Sequence, residues 1–139
     1  VGNISEEARQ LLDVTKKALY LGIEQSVVGN RLGDIGHAIQ SYVEPLGFSV
    51  VKDFVGHGIG RDMHEDPQVH YGTRGRGQRL VEGMVMTIEP MINIGDYRMK
   101  LDDNGWTART LDGSLSAQFE HTIAITKDGP VILTDQDSI

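Results

Sequence analysis

Three short segments carry residues whose types and spacing could do chemistry. In the first, Gly56-His57-Gly58-Ile59-Gly60 sets an imidazole among glycines, and His64-Glu65-Asp66-Pro67 follows closely. Glycine flanks leave a ring approachable and allow backbone geometry that other residues resist. His57 is therefore a candidate metal ligand or acid–base group. Taken alone, the segment slightly favours a plainer account, a glycine-rich connector with an incidental histidine. His64-Glu65 does not begin a helical zinc-protease motif. That motif needs a second histidine four residues on, where Gln68 stands, and Pro67 opposes a helix there.

The second segment is Met84-Val85-Met86-Thr87-Ile88-Glu89-Pro90-Met91, in which Glu89 is the one charge in an apolar strand pattern. Alternation puts Val85, Thr87, Glu89 and Met91 on one face. Both faces are largely apolar, and a carboxylate covered on both sides is costly unless a metal or cation compensates it. The competing account is an edge-strand glutamate in water, which Pro90 would suit. The third segment, Ser116 to Ile123, places Glu120 on a face with Gln118, Thr122 and Ala124. Periodicity by itself prefers a solvated polar face there. One imidazole with two carboxylates suits divalent first-row ions such as Mn, Fe, Co or Zn, and two carboxylates can bridge a pair of ions that activate water.

The elements that must position these residues follow from pattern. Ser5 reads as an N-cap ahead of Glu6 and Glu7. Ala8, Leu11, Leu12, Thr15, Leu19, Ile23 and Val27 then repeat at helical spacing up to Gly29. A second helix runs from Leu32 through Leu46 and closes on Gly47. Phe48–Val55, Met84–Ile92, Arg98–Leu101, Trp106–Thr110, Ser116–Thr126 and Val131–Thr134 read as strands or extended segments, with Asp128-Gly129 as a hairpin turn. Residues 56–83 lack periodicity and read as loop and turn, including the glycine-diluted basic cluster Arg74–Arg79. Two helices followed by hairpin-linked strands predict an α+β domain, with the helices packed on a mostly antiparallel sheet.

Composition limits the partners. The chain has 139 residues, net charge -7, no cysteine and 17 glycines. Disulfides and thiolate metal sites are excluded. With no Lys/Arg block, nucleic acid is not an expected partner. Neither is a membrane, since no apolar run is long enough to span one. The lack of cysteine fits a cytoplasmic location. The opening Val1-Gly2, in place of Met, reads as an excised boundary.

Read in order, these strings resemble type I methionine aminopeptidases of the pita-bread metallopeptidase family. They are GHGIGRDMHEDP at 56–67, EGMVMTIEPM at 82–91, NGWTARTLDGSLSAQFEHT at 104–122 and ITKDGPVILT at 125–134. The TIEPM and FEHT versions, with the tryptophan of NGWT, separate it from prolidase-like relatives. The resemblance implies that residues 1–139 are the C-terminal portion of the catalytic domain, one half of the pita-bread fold. It implies metal-dependent removal of N-terminal methionine from nascent proteins and peptides. His57 resembles a ligand of one metal. Glu89 resembles a ligand of the same metal and a candidate base toward the attacking water, and Glu120 the carboxylate bridging both metals. His64 resembles the histidine that contacts the scissile peptide. Met63 and Trp106 resemble walls of the methionine pocket, and Ser116 a monovalent-cation contact.

The departure is that the family's site also needs two aspartates about ten residues apart, from the other half of the domain, and no pair here fits. Two divalent ions are implied, with three of five ligands supplied by this chain. The missing N-terminal half is then an expected partner, and the isolated half is expected to be inactive. A homodimer covering an exposed sheet edge is a further expectation. A non-catalytic pita-bread binding module and a prolidase-like X-Pro peptidase are the alternatives.

Overall fold

The computed structural model describes residues 2–72 and 75–136. Arg74 of the basic cluster lies outside them. The first helix, α1, spans Glu6–Glu24. Its start is set by Ser5, whose side chain accepts from the Ala8 N–H at 3.1 Å, with Glu6 and Glu7 at the positive end of the dipole. Ser5→Ala is expected to cost about 1 kcal/mol, read as a lower urea midpoint at unchanged slope. The helix ends at Glu24, short of Gly29, with Gln25 as its C-cap. The second helix, α2, spans Leu32–Val43. Its last turn tightens to a 3-10 helix over Glu44–Leu46 and stops at Gly47, whose φ of 88° is open to glycine.

The strands are shorter than the pattern predicts. They are β1 (Ser49–Val50), β2 (Gly56–Gly58), β3 (Glu65–Val69), β4 (Val85–Ile88), β5 (Met91–Asn93), β6 (Met99–Leu101), β7 (Ala108–Thr110), β8 (Ser116–Gln118), β9 (His121–Thr126) and β10 (Gly129–Ile132). One sheet has the order β10-β9-β4-β2-β3, a second β1-β5-β8, and β6-β7 form a separate hairpin. Every pairing is antiparallel. Helix α1 packs on α2 and on β4, β5 and β8, while α2 packs on β1 and β3. The interface is a core of Leu11, Leu19, Ile35, Ile39, Met86, Ile88, Ile92 and Ile123, all buried.

Two differences from the sequence reading matter for the site. Residues 56–58 and 65–69, expected as loop, are strands, the first paired with β4 and the second with the first. The long strands expected over 84–92 and 116–126 are each interrupted, at Glu89-Pro90 and at Phe119-Glu120. Proline has no N–H to give to a ladder, so the pair β4/β9 passes into β5/β8 across a break that both strands share.

Candidate metal centre

That shared break places the two carboxylates. Ile88 lies opposite His121 before it and Met91 opposite Gln118 after it, an unchanged register that sets Glu89 opposite Glu120. Like charges directly opposite on paired strands repel. Glu89 is half-buried and directly follows β4, the strand third from each edge of its sheet, so the account of a solvated edge glutamate is overturned. Its carboxyl is pushed up to about 7 by burial first, then by the charge of Glu120 and a hydrogen bond with that side chain. The two groups thus compete for a proton or a cation.

His57 enters from the other side of β4. The pairing of β2 with β3 shifts register between His57 and Gly58, an irregularity of the kind that re-aims a side chain. The His57 N–H donates to Thr87 Oγ1 at 3.0 Å, tying it to β4 two residues before Glu89. His57 Nδ1 is 3.0 Å from the Gly58 carbonyl oxygen. A carbonyl only accepts, so Nδ1 carries the proton in that bond and Nε2 is left as the free ligand atom. Ligand atoms from His57, Glu89 and Glu120 all lie within 4.8 Å of one another. This set fits a divalent first-row cation by its chemistry and because a cation offsets the opposed carboxylates.

Of the remaining expected site residues, His64 is the one that the structure sets against this cluster. The His64 ring lies 4.3 Å from that of His57, tilted by 49°. Its loop is fastened by Glu65, which accepts from the Asp62 N–H at 2.9 Å. Met63 and Trp106 are not brought into any packed wall, being 71% and 88% exposed. Ser116 lies on β8 opposite Asn93 and lines a hollow of about 760 Å³ that none of the three ligand residues borders. A smaller groove of about 380 Å³ runs between Lys16 and Tyr20 of α1 and Glu120-His121.

Pattern reading missed three residues that hold the site together. Thr87 is the buried partner of His57. Tyr71, 1% exposed, accepts the Glu89 N–H at 2.7 Å. Burial raises its phenol far above the usual range, with Glu89 and Glu120 pushing the same way, so it stays protonated. His121 hydrogen-bonds Thr134 Oγ1 through Nδ1 at 2.8 Å and meets the Tyr20 ring edge-on at 5.8 Å, bracing the residue after Glu120. Thr87 shares the alternating face of Glu89 and could have been flagged on that ground. Nothing in the local sequence around Tyr71 signals its part.

An imidazole gathered against two facing carboxylates, on two helices and antiparallel strands, is a scaffold that could hold a divalent metal ion. The family model for metallopeptidase family M24 matches residues 1–127, and the chain belongs to that family. It is 56% identical over 135 residues to a methionine aminopeptidase of Clostridium acetobutylicum, covering 96% of this chain and 54% of that protein. It is 58% identical to one of Clostridium perfringens, with the same coverage. The crystal structure of a Rickettsia prowazekii methionine aminopeptidase matches with a TM-score of 0.94 at 51% identity, over 97% of this chain and 55% of that one. A prolidase from Pyrococcus horikoshii matches with a TM-score of 0.75 at 25% identity, over 97% and 33%. The chain spans about half the length of the curated relatives it matches, and its fold is one half of the pita-bread fold. No helix among the described residues is long and apolar enough to cross a membrane.

Proposed function

We propose that this chain is the C-terminal half of a methionine aminopeptidase catalytic domain, acting on N-terminal methionine in the cytoplasm once the other half is supplied. The observation that carries the proposal is the opposition of Glu89 and Glu120 beside His57, with ligand atoms within 4.8 Å of one another. His57 and Glu89 would hold one divalent ion, and Glu120 would bridge to a second whose remaining ligands, two aspartates, lie outside this chain. Bound ions of this kind supply a nucleophile at neutral pH and Lewis-acid stabilisation of developing negative charge. The chain's own residues do the rest. Glu89 accepts the proton of the attacking water. His64, exposed beside His57, donates a hydrogen bond to the oxygen of the scissile carbonyl. Met63 and Trp106 offer exposed apolar surface for a methionine side chain, and Ser116 contributes to a monovalent-cation contact.

Identity supports the methionine enzyme over the prolidase reading, at 51% against 25%. The intact ligand trio speaks against a module that has lost its chemistry. The test is free methionine released from Met-Ala-Ser with added Mn²⁺ or Co²⁺. The chain alone is expected to release almost none. Mixed with the N-terminal half of the Clostridium acetobutylicum relative, it should release methionine in a chelator-sensitive way. A mixture that associates yet stays inactive, or that prefers an X-Pro dipeptide, would overturn the proposal.

A further inference from the structure

Tyr71 touches both backbones that carry ligands from β4 and β2. Glu89 lies just past Ile88, the last residue of β4, and its N–H bonds to no neighbouring strand among the described residues. A buried N–H left in that state costs about 1–3 kcal/mol. The Tyr71 phenol oxygen takes it at 2.7 Å. The same oxygen lies against Gly56, the residue before His57, where an added Cβ would stand 2.5 Å from it and also meet the Thr87 carbonyl. Gly56 is thereby seated between β4 and the phenol with no room for a side chain. We propose that Tyr71 is a positioning residue of the metal centre: one buried oxygen holds the Glu89 backbone at the strand break and seats Gly56, so that His57 and Glu89 keep the spacing one cation requires.

This inference rests on the reading of His57, Glu89 and Glu120 as metal ligands. It separates a positioning role from simple core packing, because Tyr71→Phe keeps the ring in the core and removes only the oxygen. The experiment is a Co²⁺ titration of the 139-residue chain by visible absorption, with folding checked by circular dichroism. Val14→Ala, a buried position on α1, serves as a control for lost stability. The expected result is a folded Tyr71→Phe chain that binds Co²⁺ about 10–100-fold more weakly, the usual effect of losing a group that orients a ligand. Its absorption bands should change, while Val14→Ala binds as the unsubstituted chain does.

Unchanged affinity and bands in Tyr71→Phe would overturn the inference, as would an equal loss in Val14→Ala. If the unsubstituted chain binds no Co²⁺, the metal reading fails and this inference with it, an outcome distinct from the others. Should Tyr71→Phe not fold, hydrogen exchange at the Glu89 amide of the unsubstituted chain decides. Protection that deepens with Co²⁺ supports the role, and exchange as fast as an exposed amide overturns it.

Discussion

Glu120→Gln is expected to weaken divalent-metal binding at least about 100-fold and, in the same molecule, to make the metal-free chain more stable at pH 8. The first effect follows if Glu120 is a ligand as proposed, since groups that merely orient ligands already account for about 10–100-fold. The second follows from the register that faces Glu120 with Glu89. Glu89 is pushed from 4.5 to about 7 by burial, then by the charge of Glu120 and the hydrogen bond with it. A group whose folded pKa is raised binds its proton more tightly in the native state. Its stabilisation is therefore complete below about pH 4.5 and lost as pH rises through about 7.

Glu89 is only half-buried, so solvent screening reduces the loss above pH 7 to about 1–2 kcal/mol. Glutamine at 120 removes the second and third causes and leaves burial, the largest, in place. A gain of about 1 kcal/mol at pH 8, and much less at pH 5, is expected for the metal-free variant. Urea denaturation in a chelator at the two pH values, paired with Co²⁺ calorimetry, reads both effects. A variant no more stable at pH 8, or one that binds Co²⁺ within a few-fold of the original, would mean the carboxylates do not compete for one cation.

The helices were legible because their information is local. Ser5 caps α1 and Gly47 stops the second helical run, each by chemistry within a turn of itself. The strands were less so. Residues 84–92 read as one unbroken apolar strand in sequence, and only pairing with 116–126 reveals that both strands break at one level. Gly56–Gly58 has no strand propensity at all, yet it is a strand, because Thr87 and Met86 offer partners from β4. The same divide runs through the site. Glu89 stood out as a lone charge in an apolar run, but its opposition to Glu120 depends on register, and the grouping of His57 with both came from resemblance to a family. Tyr71 lies in a stretch that reads as loop, and its meaning exists only where the fold places its oxygen under Glu89.

The link from helix to candidate metal centre makes a second large effect predictable. Gly36 on α2 lies against the backbone of His70 and Tyr71, and an added Cβ would collide with the His70 carbonyl oxygen. Alanine in place of a helical glycine gains about 1 kcal/mol in propensity. Overpacking against rigid backbone costs about 3 kcal/mol or more, the upper end of the usual range. The collision wins, so Gly36→Ala should destabilise the chain by about 2 kcal/mol net, lowering Tm by roughly 6–10 °C for a domain of this size. Gly22→Ala on α1 provides the contrast, since its Cβ would meet only side chains, Ile39 at 2.8 and 3.2 Å and Ile88 at 3.3 Å, and buried side chains give by more than backbone does. That variant should stay within about 1 kcal/mol of the original. The difference extends to the site. Displacing His70 drags Tyr71 from the Glu89 N–H, so Gly36→Ala should also bind Co²⁺ more weakly at a temperature where it remains folded, whereas Gly22→Ala should not. Equal melting temperatures and equal Co²⁺ affinities for the two variants would show that α2 does not set the height of Tyr71 beneath the ligands.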